Sequence, residues 1–324
     1  MRALQCTELG GPDKLEINEV ESPSAIPGHV VIDVKSGSIN FPDVLMIQGL
    51  YQYQPPLPFT PGGESAGIIS EIGDGVTKFK VGDKVFAMTG TGAFAEKILA
   101  HENSCTLIPD SMDYDSAAAL SMTYGTSLYA LKQRAKIQPG ETLLVLGASG
   151  GVGIAAIELG KAMGARVIAA ASTQDKIDMC MAHGADEGFI YPSGNLDREQ
   201  QKQLSNKIKE LTGGMGANVV YDPIGDSYAE PCLRATAWEG RYLVIGFAAE
   251  TNNVQENAQK KLIEKNCDWI IANDVSNNSI GFDSDFNEVS IFYKNKEIEN
   301  EKLAIKKKSE ISEEIADRVI KQLN

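Results

Sequence analysis

The spacing of apolar residues along this chain changes character twice, and each change marks a new kind of structure. Up to about residue 120, short runs such as HVVIDVKSGSIN, SAGIISEIG, DKVFAMTG and AFAEKILA are separated by glycine and proline. They predict strands of four to eight residues and a compact β-rich domain. Pro42, Pro55, Pro56, Pro58 and Pro61 stiffen a loop-rich segment between two of these strands. The stretch from Asp115 to Lys132 predicts connecting helices. From Gly140 onward the pattern alternates: strand at Leu143 to Leu146, helix at Val152 to Met163, strand at Arg166 to Ala171, helix at Asp175 to Ala182, strand at Gly188 to Tyr191. A polar helix (Asp197 to Leu211), a strand (Asn218 to Asp222), a helix (Tyr228 to Ala237) and a strand (Tyr242 to Phe247) extend the series. Alternation of this kind predicts an α/β fold with a doubly wound parallel sheet. Beyond residue 250, Asn257 to Lys265 predicts a helix, Trp269 to Ala272 and Glu288 to Tyr293 strands, and Ser309 to Leu323 a closing amphipathic helix. This α/β tail is expected to continue the sheet.

The 324 residues suffice for two domains of ordinary size. With 44 acidic against 30 basic residues, the net charge of −14 argues against nucleic acid or an anionic membrane as partner. The one basic run, Lys306 to Lys308, reads as a solvated face. No apolar run matches a bilayer or a signal peptide, so a cytoplasmic address is expected. The five cysteines and three histidines show no paired spacing. They suggest neither a disulfide framework nor a metal site, so redox chemistry must come from a bound cofactor.

The strongest chemical signal lies where an apolar strand empties into glycines: ETLLVLGASGGVG. Gly147 permits a tight turn, Gly150 lets backbone approach a ligand, and Gly153 lets the following helix sit close to the strand. Ser149, Gly151 and Val152 complete the turn, and the N–H groups of the helix start suit a pyrophosphate. A structural turn without a ligand is the alternative. At the end of the next strand, where a reader of the free ribose hydroxyl usually carries an acid, the chain has Ala170, Ala171 and Ser172, followed by Lys176. A 2′-phosphate is not repelled there and a lysine attracts it, so NADPH is expected, although Asp175 lies close by. Lys176 as an ordinary exposed helix residue is the other reading.

The segment NFPDVLMIQGLYQYQPPLPFTPGGESAGIISEIGDGV resembles the zinc-independent quinone oxidoreductase branch of the medium-chain dehydrogenases/reductases. Zinc-dependent relatives carry a cysteine near Asn40 and a histidine at Gly63, so the departure removes the metal. The resemblance implies a GroES-like substrate domain over 1–122 and an NADP-binding Rossmann domain over 123–250. It implies that Ser172, Lys176 and Tyr191 hold the 2′-phosphate, that Phe247 lies in the cofactor site, and that Met122 to Thr126 line the nicotinamide cleft. Helix packing is an equally open role for Tyr124 and Thr126. Asn40 and Thr126 are candidates to fix the nicotinamide or a substrate oxygen. Tyr51 and Tyr53 are expected to line the acceptor pocket, as a proton donor or as aromatic wall. The implied partners are a quinone or enone substrate and, in a homodimer, a second copy.

After residue 250 the words change. GFAAET, KNCDWIIANDVS and GFDSDFNEV resemble the C-terminal part of bacterial phosphopantothenoylcysteine synthetase. In that family, residues matching Phe247, Lys261 and Lys265 contact CTP, and the two lysines, four apart, share a helical face. A solvated lysine face is the alternative. The segment 251–324 is therefore either a fusion or the result of a gene error behind a truncated reductase. Three functions follow as expectations: an NADPH-dependent reductase of conjugated carbonyls, a CTP-dependent activity related to coenzyme A synthesis, or a cofactor-binding protein with impaired catalysis.

Overall fold

The computed structural model describes residues 1–245, 269–273, 286–293, 301–307 and the positions 310 and 314. The chain divides into two compact units, Met1–Ile47 with Leu57–Gly246, and Gln48–Pro56 with Phe247–Asn324.

The first unit opens with the antiparallel pair β1 (Arg2–Cys6) and β2 (Leu15–Glu19). Then come β3 (His29–Ser38), α1 (Phe41–Ile47), β4 (Glu64–Ile72), β5 (Lys84–Met88), β6 (Lys97–His101) and β7 (Cys105–Leu107). These five later strands form one antiparallel sheet in the order β6-β3-β4-β5-β7. Alternating Val30, Ile32, Ile69, Val85 and Ile98 bury one face of it, as the period of two requires.

Two short helices lead onward. Asp113 caps α2 (Tyr114–Ala118) by accepting the Ser116 N–H at 2.7 Å. Next, α3 (Leu120–Leu128) runs into a wider π turn over Tyr129–Arg134. The parallel part follows as β8 (Thr142–Val145), α4 (Gly151–Ala162), β9 (Arg166–Ala171), α5 (Gln174–Ala182), β10 (Glu187–Ile190), α6 (Arg198–Leu211), β11 (Ala217–Asp222), α7 (Ala229–Arg234) and β12 (Thr236–Val244). Its sheet order is β10-β9-β8-β11-β12, every pair parallel. The chain therefore winds outward from β8 and returns on its other side, which makes the β8/β11 junction the switch point where such sheets bind ligands.

Helices cover both faces, so β8 alternates between two cores: Leu143 and Val145 in one, Leu144 and Leu146 in the other, all fully buried. Burial of each such leucine contributes roughly 2 kcal/mol. From β8 to β11 the expected boundaries hold to within one residue; near the end they do not. The Tyr228 to Ala237 helix is a short 3-10 turn and then α7, and β12 begins already at Thr236.

The second unit contains β13 (Trp269–Asn273), β14 (Phe286–Tyr293) and β15 (Glu301–Lys307). They form their own antiparallel sheet, β13-β14-β15, and this corrects the expectation of strands that continue the parallel sheet. Only seven residues separate β14 from β15, too few for the crossover of a dozen or more that a parallel pair needs. Lys306, at the start of the run expected to be a solvated face, lies near the end of β15. Leu303 of that strand is buried, and Lys306 pairs with Glu314. Of the expected closing helix, Glu310 and Glu314 are helical. The rest of it, and the helix expected over 257–265, lie outside the described residues.

Candidate functional site

The turn after β8 is built almost entirely of backbone. Leu146 N–H reaches the Tyr221 carbonyl at 3.0 Å, and the chain then reverses at Gly147 with φ +54°, a conformation that side chains disfavour. Gly150 caps α4 with extended backbone and supplies no side chain to the first-turn N–H groups. The most demanding position is Gly153. A Cβ there would lie 2.6 Å from the carbonyl oxygens of both Gly147 and Ala148, so only glycine lets α4 approach this closely. Gly151 has a separate neighbour, because a Cβ would meet Thr123 Cγ2 of α3 at 3.0 Å. Ser149 and Val152 are half-buried beside these glycines, and the Val152 carbonyl accepts from Ser127 Oγ at 2.9 Å. The sequence reading missed Gly160, which faces Leu143 across the same helix-strand contact.

The end of β9 joins this turn directly, since Ala148 N–H donates to the Ala170 carbonyl at 3.1 Å. Ser172 and Lys176 lie together: Lys176 Nζ donates to Ser172 Oγ at 3.0 Å, on the protein surface. Their separation of four residues spans the start of α5, which Thr173 caps. Tyr191, just past β10, stacks edge-on against Tyr228 with ring centroids 5.0 Å apart. Burial pushes its phenol up to about 12, against the opposing hydrogen bond from the Gly147 backbone. The hydroxyl is therefore protonated at neutral pH and sits at the glycine turn.

A second cluster sits in the β-rich part. Asn40 is buried, and its Nδ2 donates to Glu64 Oε1 at 2.8 Å and to Ser38 Oγ at 3.4 Å. The carboxylate fixes the amide orientation and turns Oδ1 the other way, so what Asn40 offers a ligand is an acceptor. Glu64 is nearly inaccessible and takes the Met122 N–H on its other oxygen at 2.8 Å. Asp43 accepts Asn40 N–H at 2.8 Å and Gly62 N–H at 3.2 Å. Burial raises its carboxyl above the ordinary value, and these backbone donors oppose the rise.

Sequence reasoning missed Asp43 and Glu64 as site residues. The one readable signal was the N-x-x-D spacing of Asn40 and Asp43: the Asp43 carboxylate accepts the Asn40 N–H, and the Asp43 N–H donates back to the Asn40 backbone carbonyl at 3.0 Å. A Cβ at Gly63 would point toward Met122 and Asp43, at 3.7 and 3.9 Å. Among the described residues no group of three or more His, Cys, Asp or Glu side chains could hold a metal ion.

Helix α3 joins the two clusters. Beyond the Met122 bond to Glu64, Ser127 Oγ also meets the Tyr221 hydroxyl at 2.9 Å. Tyr124 is turned onto α4, where it donates to Glu158, which also takes His183 Nδ1 at 2.7 Å. Burial first, and Glu158 second, push its phenol up to about 12. That bond ties α3 to α4. Thr126 is half-buried in the same helix. Tyr51 and Tyr53 belong to the second unit, where Tyr53 is 57% exposed. Phe247, Lys261 and Lys265 lie outside the described residues.

Comparison with known proteins fits this geometry. Residues 26–110 match the alcohol dehydrogenase GroES-like domain. Residues 141–323 match the DNA/pantothenate metabolism flavoprotein C-terminal domain, a match that starts at the base of β8, well ahead of the tail words. Quinone oxidoreductase-like protein 2 of Rattus norvegicus is 39% identical over 266 residues, 82% of this chain and 73% of the relative. A probable oxidoreductase from Mycobacterium abscessus superposes with a TM-score of 0.69 at 34% identity, covering 82% of this chain and 85% of that one. The mycobacterial protein Rv1454c, solved in complex with NADPH, gives 0.68 at 31% identity over 76% and 74%. The chain belongs to the quinone oxidoreductase-like medium-chain dehydrogenases/reductases, and its second half also carries the flavoprotein-domain likeness.

Proposed function

We propose that the chain transfers hydride from NADPH to a quinone or another conjugated carbonyl, without zinc. The observation that carries the reading is the Ser172–Lys176 pair at the end of β9, on a strand end that bears no carboxylate of its own. The residues fit the cofactor in kind: a glycine turn at the switch point for the pyrophosphate, with Ser172, Lys176 and the protonated Tyr191 for a 2′-phosphate. The NADPH complex of Rv1454c supports the same reading. Bound NADPH supplies the hydride.

The chain's own groups bind and orient. Asn40 accepts a hydrogen bond from the carboxamide or a substrate hydroxyl, and Thr126 lies along the same helix as Met122. Tyr51 or Tyr53 donates to the developing oxyanion or walls the acceptor. The asparagine and glycine at positions 40 and 63 support zinc independence. The division into 1–122, 123–250 and 251–324, a cytoplasmic address and a homodimer are parts of the same proposal. Among the described residues no helix is long and apolar enough to cross a membrane.

The test is oxidation of NADPH by a small quinone. Turnover supports the proposal, whereas binding of NADPH with no acceptor reduced rejects it in favour of a cofactor-binding protein. The match over residues 141–323 favours a second reading, CTP binding through Phe247, Lys261 and Lys265. Calorimetry that shows no heat on addition of CTP disposes of it.

A further inference from the structure

The switch point is flanked by two strand ends, those of β8 and β11. Opposite the glycine turn, β11 ends in Asp222, a carboxylate with no solvent exposure. A buried acid is costly unless its oxygens are occupied, and here both are. Oδ1 accepts the N–H groups of Ile224 and Gly225, each at 2.8 Å, and Oδ2 accepts from the Tyr242 hydroxyl of β12. Burial, and after it Asp222, keep the Tyr242 phenol protonated, so it remains a donor.

The two backbone bonds curl Pro223 to Gly225 into a tight loop. Its Gly225 holds φ 70° and ψ −146°, which is glycine territory. The loop in turn packs on the turn of β8. A Cβ on Gly147 would sit 3.3 Å from Ile224 Cγ1 and 3.4 Å from Pro223 Cγ.

We propose that Asp222 is a positioning residue for the dinucleotide turn: by holding the Ile224 and Gly225 N–H groups it fixes the wall against which Gly147 reverses, and thereby sets cofactor affinity without touching the cofactor. The proposal rests on the dinucleotide reading above. A merely structural acid would cost stability alone when removed. A positioning acid costs affinity through one of its two oxygens and not through the other.

The experiment compares Asp222→Ala, Asp222→Asn and Tyr242→Phe with the wild-type full chain. The readouts are nicotinamide fluorescence titration with NADPH, thermal melting, and amide hydrogen exchange at Ile224 and Gly225. Asp222→Ala is expected to weaken NADPH by roughly tenfold or more, because a small misplacement of a binding element has effects of that order, and to speed exchange at both amides. Asp222→Asn keeps an acceptor for the two N–H groups and restores most of the affinity. Tyr242→Phe lowers the melting temperature but leaves affinity and exchange as they were.

Should Asp222→Ala fail to fold, the double variant Asp222→Val with Tyr242→Phe removes the carboxylate and the hydroxyl it accepts from together and fills the space with apolar atoms. It is expected to weaken NADPH and speed exchange as the alanine does. Unchanged affinity in the alanine or double variant, or an equal loss in Tyr242→Phe, overturns the proposal. A wild-type chain that binds neither NADPH nor NADH overturns the cofactor reading itself. Unchanged exchange at Ile224 and Gly225 in the alanine and double variants overturns the inference alone.

Discussion

The two clusters along α3 are built by opposite means. At the end of β8 the site is backbone: a glycine with positive φ, a helix start without a side-chain cap, and carbonyl oxygens 2.6 Å from where a Cβ would be. At Asn40 it is side chain: two buried carboxylates, Asp43 and Glu64, satisfied by an amide and by N–H groups far apart in sequence. The first tolerates no added atom, while the second tolerates no lost partner. A backbone site fails by overpacking and a side-chain site by desolvation, so substitutions of opposite kinds separate them.

The largest effect is expected at Gly153→Val, which drives a side chain into two carbonyls. It should cost about 3 kcal/mol by denaturant unfolding and abolish dinucleotide binding in a fluorescence titration. A variant that still binds would show that α4 is free to back away from the turn.

Next comes Glu64→Ala, which strands the Asn40 amide and the Met122 N–H in the interior. A loss of about 2 kcal/mol is expected, with kcat falling more than NADPH affinity. Equal losses in both would erase the distinction between the clusters. Lys176→Ala is a surface change and should leave melting unmoved. NADPH binding should weaken by about tenfold while NADH is unaffected, and the difference should shrink as salt rises.

The smallest effect concerns the base of β8. There Arg241 forms a two-pronged pair with Glu141, Nη1 to Oε1 at 2.8 Å, and holds its carboxyl below the ordinary value of 4.5. Because the folded value is depressed, the stabilisation is present in full above 4.5 and is lost as pH falls through the lower folded value. Glu141→Gln should therefore cost about 1 kcal/mol near neutrality and flatten the acid limb of stability against pH.

The same contrast explains what could be read from the residues. The strands and helices from Thr142 to Asp222, the glycine turn and the Ser172–Lys176 pair are local. Periodicity, the glycine pattern and the residues that follow β9 report them without knowledge of the fold. Asn40–Glu64–Met122 spans 82 residues (122 minus 40) and exists only once β4 and α3 meet. Asp222 was readable as the end of a strand but not as a buried acid, since its third partner is Tyr242 of a later strand. The tail's antiparallel sheet was missed because helix-then-strand alternation was carried past the point where the connections become too short. Tyr124 shows the reverse case, where resemblance left cleft and packing open and the structure adds the bond to Glu158.

The central claim is that the backbone turn at Gly147 serves a dinucleotide whose 2′-phosphate is read by Ser172 and Lys176. Parallel fluorescence titrations of the wild-type chain with NADPH and NADH, at one salt concentration, test it directly. NADPH is expected to bind at least about tenfold more tightly, as suits a charged hydrogen bond to phosphate. Equal affinity, or tighter binding of NADH, would contradict it.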